Sequence, residues 1–322
     1  MKKGIFLVSL LFISTFAFSQ KKAQTIDTKD LEKLMVCEDS IAYWARIAVT
    51  NLLLERRIEA QDKIMPLIKK ALALPNSFNY PFSELENIAI SYPQDRSFRI
   101  FTWQLMHTDV NYQYFGFIQL NSSKSIVYEL KDFSKTLQKP ESQIVTNDKW
   151  FGALYYNIRD FKTKDGQKYL LFGFNSNDTI EKIKLCDVLT LRGGQVKFGA
   201  PVFEKKERGN KKMVNRLMLY HATDASIRFN YDDEMGMIVH DHLMDIPSQT
   251  PNVPFVSVPD GTYEAYDLKK GVWQHIDKLA NTEMDEAPIP KPILGSKARV
   301  VDKESARNIK WPEEEKKKEG NQ

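Results

Sequence analysis

The stretch WFGALYYNIRDFKTKDGQKYLLFGFNSND, residues 150–178, determines the fold class. Two runs rich in aromatic and branched apolar residues flank the turn-forming sequence Lys164-Asp165-Gly166, and this pattern predicts a β-hairpin. Hairpins join antiparallel strands, whereas parallel strands need a crossover of a dozen or more residues, usually a helix. The stretch therefore indicates an antiparallel sheet.

Strand-like stretches separated by short polar turns continue on both sides of this hairpin. We predict about nine or ten strands between residues 88 and 280. The other stretches are 97–105, 110–121, 125–133, 182–204, 217–223, 226–231, 235–243 and 261–277. No Gly-rich strand-to-helix turn of the nucleotide-binding type occurs in the sequence. The region is therefore expected to be a meandering antiparallel β domain, with closure into a barrel or a partial propeller left open.

The chain before this region has a helical pattern. Residues 28–74 contain one proline and no glycine, and their apolar residues recur at helical spacing. A break between helices is expected near residues 55–59, and Pro66 is expected to start or kink the last helix. The fold class is therefore α+β, with an N-terminal helical segment (residues 20–87) packed on the antiparallel β domain (residues 88–280).

Residues 1–19 have the three parts of a secretory signal peptide: two lysines, an apolar run and small residues at Ala17 and Ser19. The apolar run of about 15 residues is shorter than the roughly 20 that cross a bilayer, and an uncleaved anchor stays the alternative. No cysteine lies near the cleavage site, so a lipoprotein is not expected. We expect an exported protein, periplasmic or extracellular, without a transmembrane span.

Charge and cysteine content restrict the function classes further. The formal net charge of +4 gives no electrostatic reason to expect nucleic-acid binding. The basic run at residues 203–216 is expected to be a solvated loop, with contact to an anionic surface as the alternative. Residues 281–322 are rich in proline and charge, which predicts an extended, partly disordered tail. Cys37 and Cys186 can form one disulfide in an oxidising compartment or stay buried free thiols.

The sequence MIVHDHL, residues 237–243, holds two of the five histidines, His240 and His242. Alternate residues of a strand share a face, so the two imidazoles would point the same way and suit one metal ion, zinc being the candidate cofactor. His221, on a neighbouring predicted strand, is the first candidate for a third ligand. Other candidates are His107, Asp109 and His275. No named metalloenzyme signature is matched, and the other interpretation is a hairpin strand that ends in half-exposed histidines and binds no cofactor.

The sequence leaves two hypotheses for the function. No nucleophile elbow and no readable Cys–His pair occurs in the sequence. Aromatic residues are dense at residues 98–117 and 150–174, where they either form the core or, if exposed, stack on sugars or contact a partner. The first hypothesis is a non-enzymatic binding module for a protein or glycan partner. The alternative is a metal-assisted hydrolase that uses the His-x-His pair.

Three stretches carry a resemblance: SYPQDRSFRIFTWQ, YLLFGFNSND with CDVLTLRGGQVKFGAPVF, and MIVHDHL with VPDGTYEAYDLKKGVWQHID. In these stretches, within residues 90–278, the chain resembles exported proteins of unassigned activity that are common in Bacteroidota. The resemblance implies an exported protein and brings no catalytic signature and no site residue with it.

Overall fold

Two helices open the part of the chain that the structure, a computed structural model, describes: residues 25–108, 111–122, 124–176, 178–207 and 210–279. Helix α1 is Thr28–Thr50 and helix α2 is Leu54–Leu72. The break expected at residues 55–59 lies instead at 51–53, because the Asn51 side chain accepts a hydrogen bond from the Leu53 N–H at 2.9 Å and ends α1. Pro66 lies inside α2 rather than at its start. Neither helix is long and apolar enough to cross a membrane.

In the residues that the structure describes, sixteen strands in three sheets follow the helices. The first sheet contains β1 (Ala89–Ser91), β2 (Phe98–Thr108), β3 (Asn111–Leu120) and β4 (Val127–Lys131). The second contains β5 (Val145–Thr146), β6 (Leu154–Thr163), β7 (Gly166–Asn175), β8 (Glu181–Arg192), β9 (Gln195–Phe198) and β12 (Leu217–Ala222), which pairs with β8. The third contains β10 (Phe203–Glu207), β11 (Asn210–Val214), β13 (Phe229–Asp232), β14 (Met237–Pro247), β15 (Phe255–Lys269) and β16 (Val272–Ile276).

The strand pairing confirms the α+β class with an antiparallel β region. Among the described strands, every pair is antiparallel except β10 with β16, which pair in parallel. None of the three sheets closes into a barrel within the described residues, and sheets of four, six and six strands with different strand orders do not form repeated blades. The basic run at 203–216, expected as a loop, folds mainly as the β10–β11 hairpin, in which Phe203 pairs with Val214 and both are buried.

Three apolar cores join the layers in chain order. Helices α1 and α2 pack on one face of the first sheet through residues such as Phe101 and Trp103, and the other face, with Ile100, packs on the second sheet. The far face of the second sheet packs on the third sheet, where Phe172 and Trp273 are almost fully buried. Burying an aromatic or aliphatic side chain of this size stabilises the fold by about 1.5–3 kcal/mol, so these interfaces hold the stack together.

The two aromatic tracts belong to these cores. Every aromatic residue in 98–117 and 150–174 is buried or half-buried, and none is exposed. The alternative that they form an exposed stacking surface for a sugar is therefore wrong. Cys37, on α1, is buried in the core between the helices and the first sheet, and Cys186 is buried between the second and third sheets. Both are free thiols, so the disulfide alternative is wrong as well.

Candidate metal centre

Three neighbouring strands of the third sheet bring histidines to one glutamate. In the β14–β15 register His240 lies directly opposite Glu264, and in the β15–β16 register Tyr266 lies opposite His275. Directly opposed residues have Cβ atoms about 4.5–5.5 Å apart and share a face of the sheet. Glu264 and Tyr266 also share a face because they are two residues apart on β15. Glu264 therefore projects between His240 and His275.

An irregularity in β15 brings His242 to the same glutamate. Asp241 pairs with Tyr263, but the next pair is Leu243 with Pro259, so His242 faces three residues of β15. The middle one, Gly261, has a φ of 87°, in the region that L side chains rarely adopt. This bulge turns Asp260 toward His242, and Asp260 Oδ2 lies 2.8 Å from His242 Nδ1. Asp260 is itself held by Thr262, whose N–H and hydroxyl donate to Oδ1 at 2.9 and 2.7 Å.

The Nε2 atoms of all three imidazoles face the Glu264 carboxylate. His275 Nε2 lies 2.9 Å from Oε2, His240 Nε2 lies 3.6 Å from Oε2, and His242 Nε2 lies 3.7 Å from Oε1. One ligand atom from each of His240, Glu264 and His275 lies within 4.8 Å of the other two. No other three His, Cys, Asp or Glu side chains in the described part of the chain meet in this way.

The Nδ1 atoms all face oxygen atoms on the opposite side of each ring. His240 Nδ1 lies 2.9 Å from the backbone oxygen of Asp241, and His275 Nδ1 lies 3.2 Å from Asp277 Oδ1. With the His242–Asp260 contact, His240 and His242 have a hydrogen-bonding oxygen at Nδ1 and direct Nε2 inward, whereas the contact of His275 Nδ1 with Asp277 is not a hydrogen bond. Metal-binding histidines show this arrangement, because the outer partner fixes the tautomer and the ring orientation.

Ring packing holds the two inner imidazoles. The His240 and His275 rings are nearly parallel, with 6° between their planes and 6.4 Å between their centroids. Tyr266 stacks on His275 at 5.0 Å, and Phe229 meets His240 edge to face at 5.5 Å. Both imidazoles are therefore packed against aromatic rings on the buried side of the third sheet.

The side chains of the site differ in their exposure to solvent. The side chains of His240 and His275 are 5% and 8% exposed, that of Glu264 is 18% exposed, and that of His242 is 39% exposed. Burial lowers the pKa of His240, so its neutral form is favoured. Burial alone would raise the pKa of Glu264, but the hydrogen bond from His275 and the charges of the histidines outweigh it and lower that pKa. Hydrogen bonds from Thr262, with the His242 contact, lower the pKa of Asp260 to about 2.

The other predicted ligands lie elsewhere. His221 is buried on β12, in the second sheet, with its Nδ1 3.0 Å from the Ala222 oxygen, and it is not part of the group around Glu264. His107 contacts Gln113 on the first sheet, and Asp109 lies outside the described residues. Sequence reasoning missed Glu264, Asp260 and Asp277, because their proximity depends on strand register and on the bulge.

Comparison of the chain with protein-family models, with curated proteins and with solved structures gave no match. The assignment of the site therefore rests on its own geometry. Three imidazole nitrogens and one carboxylate are donors that Zn²⁺ and neighbouring divalent transition metals accept, whereas Mg²⁺ and Ca²⁺ prefer oxygen donors.

Proposed function

We propose that the protein binds a divalent transition-metal ion, with Zn²⁺ as the best fit, through His240, His275 and Glu264. The observation that carries this proposal is the contact between His240 Nε2 and Glu264 Oε2 at 3.6 Å. His240 Nδ1 faces a backbone carbonyl, which only accepts hydrogen bonds, so Nδ1 holds the proton of the neutral ring. The lone pair of Nε2 then faces a carboxylate oxygen. A cation between two such acceptors would remove their repulsion.

The spacing of the donor atoms supports the same proposal. Ligand atoms placed tetrahedrally about 2.0–2.1 Å from a zinc ion are about 3.4 Å apart. The nitrogen-to-oxygen contacts at Glu264 are 2.9 and 3.6 Å for His275 and His240, close to this value on either side. Small side-chain movements would be enough to form the site. The hydrogen bond between His275 and Glu264 would be exchanged for two bonds to the ion.

A network of ion pairs without metal is the competing explanation. In that case Glu264 would simply neutralise whichever histidine is protonated, and added zinc would change nothing. The approach of all three Nε2 atoms to one carboxylate favours the metal explanation, because an ion-pair network does not require it. The hydrogen-bonding oxygens at Nδ1 of His240 and His242 point the same way. The two explanations therefore differ in a measurable quantity, the affinity of the metal-free chain for Zn²⁺.

The test is a zinc titration of the chelator-treated full chain, followed by calorimetry or by competition with a chromophoric chelator. We expect one Zn²⁺ per chain in the wild type. The variant Glu264→Gln keeps the side-chain size and removes the charge, and its affinity should fall by more than the roughly 10–100-fold that loss of an outer-shell partner costs. Glu234→Gln, the same change at an exposed position before β14, is the matched control and should bind like the wild type. Equal affinity of Glu264→Gln and wild type would refute the proposal.

Export and partner binding stay part of the proposal as expectations from the sequence. The signal peptide and the tail lie outside the described residues, so export is tested by N-terminal sequencing of protein collected outside the cytoplasm. The aromatic residues of 98–117 and 150–174 are buried or half-buried, so they do not offer an exposed surface for a glycan. One observation supports a protein partner. Apolar side chains on α1 and in the loop after it are exposed, with Leu52 at 94% and Leu53 at 65%. Reduced recovery of a partner from envelope extract by a Leu52→Asp, Leu53→Asp variant would support it.

A further inference from the structure

We infer that His242 is a fourth ligand, which closes the coordination sphere and fixes the root of the hairpin arm beyond it. This inference rests on the proposed function, and it concerns what the site does with its ion. A zinc site with three protein ligands keeps a position open for water and can catalyse hydrolysis, whereas a site with four protein ligands holds its ion. His242 therefore decides between the two classes.

A contact with Asp260 orients His242 before any ion is present. Its Nδ1 contacts Asp260 at 2.8 Å, and Asp260 is held by Thr262 and by the bulge at Gly261. A surface histidine without a ligand role has no need of such a support, because a mobile imidazole is hydrated at little cost. Here the support directs Nε2 toward Glu264 Oε1 at 3.7 Å.

The number of donors follows from the geometry. His240, Glu264 and His275 supply three ligand atoms, and the fourth position is left to His242 or to water. His242 Nε2 faces Oε1 of Glu264, whereas Nε2 of His240 and of His275 faces Oε2. His242 is also the most exposed of the three imidazoles, so it lies on the solvent side of the site. An ion bound to Glu264 thus meets His242 on the side from which water would enter. In this structure His242 is outside the group of side chains whose ligand atoms all lie within 4.8 Å of one another, so its imidazole would move toward the ion to complete a set of three nitrogens and one oxygen.

Closure of the site has a consequence for the hairpin beyond it. Among the described strands of the third sheet, residues 243–247 of β14 and 255–259 of β15 pair only with each other. Strand β13 pairs with residues 237–240, and β16 pairs with residues 265–269. A two-stranded ribbon of this kind is marginally stable alone. His242 lies at its root, so a metal bond from His242 would connect this arm, residues 243–259, to His275 on β16.

The test compares wild type, His242→Gly and the control His107→Gly, all as full chains loaded with Co²⁺ or Zn²⁺. Four-coordinate Co²⁺ absorbs visible light more strongly than forms with added water. We expect intense absorption in the wild type and in the control. His242→Gly should still bind one ion, with affinity at least about 10-fold lower and weaker absorption. Free imidazole should restore the absorption of His242→Gly, because it can occupy the space left by the side chain.

Hydrogen exchange gives a second readout. Zinc should slow amide exchange in residues 243–259 of the wild type and should do so much less in His242→Gly. Identical absorption spectra and identical exchange in the two proteins would overturn the inference while leaving the zinc site intact. Zinc-dependent hydrolysis of p-nitrophenyl acetate by the wild type would also overturn it, because it requires an open position. Absence of metal binding by the wild type would instead refute the proposed function.

Discussion

Replacing Asp187 by asparagine tests the packing that joins the second and third sheets. Asp187 lies on β8, and Arg216 lies in the link between β11 and β12, where the chain crosses from the third sheet to the second. Both side chains are fully buried, and Asp187 Oδ2 lies 2.9 Å from Arg216 Nε. Arg216 also donates from Nη1 to the Pro140 oxygen. The pair therefore fixes the crossover in the interior of the protein.

Removing one charge of a buried ion pair leaves the other uncompensated and costs about 3–5 kcal/mol. Asparagine still offers an acceptor to Arg216, so we expect Asp187→Asn to lose about 3 kcal/mol of unfolding free energy, the lower end of that range. Urea denaturation followed by circular dichroism measures the loss. The double variant Asp187→Leu, Arg216→Met removes both charges and should recover most of the stability. A loss of less than about 0.5 kcal/mol in Asp187→Asn, as for an ordinary surface change, would refute the reasoning.

Three further predictions concern the site and its surroundings. Gly261→Ala places a Cβ at a φ of 87° and should cost about 1–2 kcal/mol in urea denaturation; it should also weaken zinc binding, because Asp260 loses its place beside His242. Burial lowers the pKa of His221 and His240, so both residues take up protons more readily in the unfolded chain than in the folded one. The metal-free protein should therefore lose stability as the pH falls below about 6.5, and His221→Gln should reduce that loss. Zinc at 100 times its dissociation constant should raise the unfolding free energy of the wild type by about 2.7 kcal/mol, as measured by urea denaturation, and that of Glu264→Gln by much less.

Local turn chemistry made much of the fold predictable from the sequence. Two-residue turns join β6 to β7 at Lys164–Asp165, β8 to β9 at Gly193–Gly194 and β15 to β16 at Lys270–Gly271. The last two have both central residues at positive φ, which glycine adopts without strain. Such turns fix antiparallel pairing from neighbours in sequence, so the antiparallel β region followed from them.

Strands without such signals were missed. The lysines of β10 and β11 obscured the alternation in a hairpin whose apolar pair, Phe203 and Val214, is buried against the second sheet. The outer part of β14 and β15 was missed because the predicted strand, 235–243, ends next to the bulge, whereas the pairing continues beyond it. Both errors come from pairing partners that a local pattern does not contain.

The site was predictable in part. The spacing of His240 and His242 places both imidazoles on one face, and the structure brings both to Glu264. The identity of Glu264 required the β14–β15 register, and sequence alone does not set the register across the long turn between these strands. The signal that was present is Pro259-Asp260-Gly261, a turn-type sequence inside a strand, which indicates a bulge next to His242.

X-ray absorption at the zinc edge of the loaded full chain tests the central claim most directly, because it reports the atoms bound to the ion. We predict a single shell of nitrogen and oxygen at about 2.0–2.1 Å, with the outer-shell scattering of about three imidazole rings and no sulfur. The same spectrum of Glu264→Gln should lose the carboxylate contribution. A shell of water oxygens alone, or zinc–sulfur scattering at about 2.3 Å, would contradict the assignment of the ion to His240, His242, His275 and Glu264.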